Sequence, residues 1–109
     1  MRSILIGLIV SGLLIVPAFA DVKVGQKVYL KKFKTRTGLN GTMFAASHTV
    51  EEWNSLFKDD AKGFIDEYSK RYPKLTKFLS KPKNLEKILD VGDFAKEYAS
   101  DSGIVPSCG

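Results

Sequence analysis

One cysteine, one histidine and one tryptophan are all that this 109-residue chain holds of those residue types. A single Cys108 forms no intrachain disulfide, so no covalent staple is expected within the domain. A single His48 leaves no His/Cys cluster with metal-ligand spacing, and no metal site is expected. No serine nucleophile elbow and no glycine-rich phosphate loop occurs. The neighbouring acids Glu51 and Glu52 read as carboxylates at a helix N-terminus, and Asp66 and Glu67 as solvated charge on a helix face. No constellation of nucleophile, base and orienting group stands out, so the chain is expected not to be an enzyme. Repeats, low-complexity tracts, long like-charge blocks and strand-like alternation are missing as well.

What is present first is a leader pattern. Met1-Arg2 precedes an apolar run from Ile4 to Val16, and Ala18 and Ala20 supply the small residues of a cleavage site. A positive start, a short apolar stretch and small closing residues predict a secretory signal over 1–20, cleaved after Ala20. The run is shorter than the roughly 20 residues a membrane span needs. Residues 21–109 are then expected to form one small periplasmic domain with no transmembrane span.

Without Arg2 the balance is 16 basic against 12 acidic residues. That excess suits an acidic periplasmic protein or an anionic membrane surface, and equally suits plain solubility. A nucleic-acid partner is not expected after export. Cys108 is either a thiol packed by Val105 and Pro106 or an intermolecular redox contact, as an odd cysteine in an oxidising compartment suggests.

Apolar spacing predicts helices throughout. The first runs from Val22 to about Thr35, with Val22, Gly25, Val28, Tyr29 and Phe33 along one side. Lys23, Lys27, Lys31 and Lys34 follow on another. Gly25 costs about 1 kcal/mol against alanine inside a helix, which makes sense if another helix crosses closely there. Leu39-Asn40-Gly41 reads as a turn. Thr49 with Glu52 is a capping box for a second helix, carrying Trp53, Leu56 and Phe57 inward. Asp59 or Asp60 is expected to cap a third, with Phe64, Ile65, Tyr68 and Tyr72 on its inner side, ended by Pro73. Short helical pieces bear Leu75, Phe78 and Leu79, broken at Pro82, and then Leu85, Ile88 and Leu89. Asp90 or Gly92-Asp93 is expected to open the last helix, with Val91, Phe94, Ala95 and Tyr98 buried and Gly103 as its stop. The expectation is all-α, with four to six short helices.

The stretch from Gly25 to Gly38 resembles the haem-attachment helix of small c-type cytochromes, G-x-x-x-[F/Y]-x-x-x-C-x-x-C-H. Gly25 and Tyr29 match its leading positions, whereas Phe33 and Arg36 stand at the two thiols and Thr37 at the iron ligand. Phe94 and Tyr98 are similar to the C-terminal helix pair of that family. The chain thus resembles a small exported bacterial cytochrome-c-like protein that has lost covalent haem attachment. The resemblance implies that the first and last helices pack together. It also implies a methionine ligand before the last helix, yet the only methionine after the leader is Met43.

Two functional expectations follow. The first is a periplasmic, non-catalytic binding or accessory protein without cofactor, its haem volume filled by Phe33, Phe44, Trp53, Phe57, Phe64 and Phe78. Lys23, Lys27, Lys31, Lys32, Lys34 and Arg36 would then dock an acidic partner, as lysines around the haem edge do in cytochromes. The alternative is an electron-transfer protein binding haem noncovalently, with His48 the leading ligand and Met43 or Cys108 behind it. A thiol-dependent role for Cys108 is a weaker third.

Overall fold

Gly25 sets how the two ends of the domain meet. In the computed structural model the backbone is described for residues 15–104 and side chains for 22–104. Helix α1 (Ile15–Val28) runs into a π-helical turn, Tyr29–Phe33, and then into α2 (Lys34–Thr37). At the other end, α6 spans Leu85–Glu97 and packs across α1. A Cβ placed on Gly25 would collide with the carbonyl oxygen of Asp90 and lie 3.0 Å from Cβ of Phe94. The missing side chain lets backbone approach backbone, which is the close crossing expected from the sequence.

Between those ends lie α3 (Gly41–Ala45), α4 (Val50–Arg71) and α5 (Thr76–Leu79). Single 3-10 turns at Pro73–Leu75 and Pro82–Asn84 flank α5, each beginning on a proline whose missing N–H is harmless there. No strand occurs among the described residues, so the all-α expectation holds. No helix among them is long and apolar enough to cross a membrane.

Local chemistry accounts for the starts and stops. Thr49 Oγ1 accepts from the Glu52 N–H at 3.1 Å while the Thr49 N–H donates to Glu52 Oε1 at 2.9 Å, the reciprocal box that opens α4. Gly38, at φ 79°, closes α2 in the left-handed conformation, its N–H donating to the Lys34 carbonyl. Tyr72 ends α4 just ahead of Pro73, as expected.

Five expectations need correction. The first helix begins at Ile15 and extends to Thr37, so its backbone passes through the expected cleavage site at Ala20. Residues 1–14 of the expected leader, and Cys108, lie outside the described residues. Asn40-Gly41 is no simple turn: Asn40 Oδ1 accepts the Met43 N–H at 2.7 Å and caps the short α3. The break near Asp59 is real, but neither aspartate caps a helix. Asp59, Asp60 and Ala61 instead adopt left-handed angles in succession (φ 54°, 58° and 61°), interrupting α4. Finally, α6 is continuous from Leu85, without a fresh start at Asp90 or Gly92. It stops at Glu97, and Gly103 sits in the loop beyond.

Candidate functional site: a ring-filled centre and a cationic cleft

Aromatic side chains meet in the middle of the domain. Tyr29, Phe33, Phe44, Trp53, Phe64 and Phe94 are all fully buried. Phe44 is the hub, its ring centroid 4.4 Å from Tyr29, 5.0 Å from Trp53 and 6.4 Å from Phe64. Phe64 stacks between Phe57 at 4.4 Å and Tyr68 at 4.3 Å. Phe33 joins the group through Phe64 at 6.3 Å and meets the half-buried Phe78 edge-on at 5.5 Å. Such offset and edge-to-face pairs add about 0.5–1.5 kcal/mol each beyond area burial.

The polar atoms of these rings are satisfied. Trp53 Nε1 donates to the Ala45 carbonyl at 2.9 Å. Tyr29 donates to the Leu39 carbonyl at 2.6 Å, and Thr37 Oγ1 lies 2.9 Å from the same phenol oxygen. With the phenol proton committed to Leu39, the Thr37 hydroxyl is the donor in that second bond. The Leu39 N–H in turn donates to Thr37 Oγ1 at 3.1 Å. Thr37, at the position where the cytochrome resemblance expects an iron ligand, thus closes the loop after α2 onto Tyr29. Burial pushes the Tyr29 phenol up to about 12, against a smaller opposing effect of the Thr37 bond. Burial likewise raises Tyr68 to about 12, opposed by its bond with Ser47.

His48 sits where the loop before α4 meets the chain after α6. The Ser100 N–H donates to the His48 carbonyl at 3.0 Å, and the Val50 N–H to Asp101 Oδ1 at 2.9 Å. The His48 ring stands edge-on to Trp53 at 4.7 Å, with Nδ1 3.4 Å from Glu52 Oε1. Its Nε2 is buried and has no hydrogen-bond partner. The Thr49 amide, foremost, and His48 hold the exposed Glu52 carboxyl below the usual range. Met43 is 53 % exposed on α3, facing away from the ring cluster.

The basic residues of the first helix divide. Lys23, Lys27, Lys31, Lys34 and Arg36 are all exposed. Only Arg36, with Lys32, borders a cleft of about 200 Å³ whose other cations are Lys74, Lys77 and Lys81. Phe78 and Asn84 complete its wall, and Asn84 is fixed by donating to the Phe78 carbonyl at 2.9 Å. The Lys34–Thr37 and Pro73–Leu75 segments pack together, which brings the two sets of cations to one concavity. Sequence reasoning missed Lys74, Lys77 and Lys81. Their spacing of three and four was the available signal, but Pro73 and Pro82 frame them as an irregular link rather than a helix face.

Comparison with protein-family profiles, with curated proteins and with solved structures found no match to this chain.

Proposed function

We propose that this chain is an exported, non-catalytic binding or accessory protein on a cytochrome-c-like scaffold without haem, docking an acidic periplasmic partner through its basic face. The carrying observation is the occupancy of the centre. Phe33, at the position of the first haem thiol in the resemblance, is fully buried among Phe64 and Phe78, and Phe44 and Trp53 pack behind it. Interiors are packed as densely as organic crystals, so rings in contact at these distances leave a porphyrin no volume. The residues present therefore do not fit that group. The backbone crossing of Gly25 on Asp90 supports the scaffold half of the reading.

One observation favours a second reading, a noncovalent haem protein using His48. Buried polar atoms are nearly always paired, and His48 Nε2 is not. A porphyrin there would have to displace Trp53, whose ring edge His48 contacts.

The absorption spectrum of protein purified from a haem-replete host separates the two. A colourless protein with a cooperative thermal transition is expected. A Soret band that disappears in His48→Ala would establish the second reading instead. Export is checked on the same sample, whose N-terminal residue is expected to be Asp21.

A further inference from the structure

We propose that the cleft between the end of the first helix and the Pro73–Asn84 segment binds a compact, multiply charged phosphate-type oxyanion. Lys32, Arg36, Lys74, Lys77 and Lys81 surround one concavity, and no aspartate or glutamate lines it. The ion pairs Lys70–Asp66 and Arg71–Glu67 lie elsewhere on α4. Among the described residues no carboxylate pairs with Lys32, Lys74, Lys77 or Lys81.

Like charges gathered in a concave, partly low-dielectric site focus a field that attracts anions and repels one another when the site is empty. A convex lysine-bearing helix face sheds its field into water, so the concavity distinguishes these five residues from the Lys23–Lys27–Lys31 row. The charges are also held in place. Arg36 Nη1 donates to the Lys32 carbonyl at 2.6 Å, which fixes the guanidinium at the mouth and leaves its other donors available. A planar fork of this kind engages two oxygens of a phosphate at once, while lysines contribute as point charges. The wall between them is rigid, because the Phe78 ring packs edge-on against core Phe33.

Size selects the ligand class. A cleft of about 200 Å³ corresponds to about six or seven water molecules at ~30 Å³ each. That suits one or two linked tetrahedral oxyanions and is too small to seat a folded acidic segment. The site goes beyond the docking role proposed above and does not depend on it, since it would stand even if the purified protein proved red.

The test is an amide-resonance titration of the exported protein with pyrophosphate, orthophosphate and sulfate, ionic strength being held constant with sodium chloride. Pyrophosphate is expected to give saturable shifts confined to residues 32–36 and 74–84, with binding in the submillimolar range. Lys77→Gln/Lys81→Gln changes two exposed side chains, leaves the melting transition in place and weakens binding by about tenfold or more, or roughly 1.4 kcal/mol. Lys23→Gln/Lys27→Gln lowers the net charge equally and is expected to leave binding within about twofold, as non-specific screening is held fixed. Linear, non-saturating shifts would overturn the proposal, as would equal losses in the two double variants. Binding seen only on phosphatidylglycerol vesicles, with free pyrophosphate inert, would overturn it in favour of a membrane surface.

Discussion

Phe57 lies flat against Gly92, so that a methyl group on the glycine would sit 2.6 Å from Cδ1 and 2.8 Å from Cγ of the ring. Alanine is the better helix former by about 1 kcal/mol, yet overpacking of this kind costs about 1–3 kcal/mol. Gly92→Ala is therefore expected to lower stability in urea titrations. Gly63→Ala is the contrast: its added carbon would meet Leu56 at 3.4–3.6 Å, an ordinary contact. That variant is expected to be neutral or to gain up to about 1 kcal/mol. Similar losses in both variants would mean that the Phe57–Gly92 contact is not formed.

The interruption of α4 places an exposed aspartate, Asp60, at φ 58°. A left-handed residue with a side chain costs about 1–2 kcal/mol relative to glycine, less for aspartate, whose short polar side chain tolerates it. Part of that gain is returned as the greater chain entropy of glycine when unfolded. Asp60→Gly is expected to raise stability by up to about 1 kcal/mol. A loss of that size would show that α4 runs straight through this region.

Tyr29 and Tyr68 couple stability to alkaline pH. Both phenols are raised from 10 to about 12, chiefly by burial. The unfolded chain therefore releases these protons first, and the folded state binds more of them across that interval. Linkage then requires their contribution to be full below pH 10 and to be lost between pH 10 and about 12. Thermal melts over this range are expected to fall in step with a late rise in phenolate absorbance. Tyr29→Phe should remove part of that late rise. A titration complete near the ordinary tyrosine value would contradict the burial of both rings.

Trp53 ties α4 to α3 through its bond to the Ala45 carbonyl. Trp53→Phe deletes the donor and leaves a buried acceptor open, a change worth about 1–3 kcal/mol. The His48 ring also loses its edge-on neighbour, so Trp53→Phe is expected to shift the His48 imidazole resonances. Undisturbed His48 resonances together with unchanged stability would place the indole outside the core.

Wherever one local rule acted alone, the sequence was readable. The Thr49–Glu52 box, the two prolines and the reason for Gly25 each follow from chemistry within a few residues or from a single steric demand. The ring cluster was foreseen because large aromatic residues have nowhere else to go in so small a domain. The continuity of α6 was hidden because Asp90 and Gly92 look like a helix boundary. In the fold, Gly92 instead makes room for Phe57, a contact 35 positions away in the chain that no local window reveals. The left-handed run at Asp59–Ala61 contradicts residue preference and is imposed by packing, since Ala61 is fully buried. The cationic cleft was hidden for a related reason, because its two halves come from opposite ends of the aromatic core.

The π turn carries one residue more than regular winding needs, its closing bond running from the Lys34 N–H to the Tyr29 carbonyl. Such turns behave as single-residue insertions tolerated inside a helix. Deleting any one of Leu30, Lys31 or Lys32 would restore ordinary winding but rotate all that follows by about 100°. Arg36 would then swing away from the three lysines across the gap, and Thr37 from the phenol it locks. The segment is thus a phase setting for the start of the domain, in which length matters more than identity. Substitutions at these exposed positions should be mild, and single-codon losses severe.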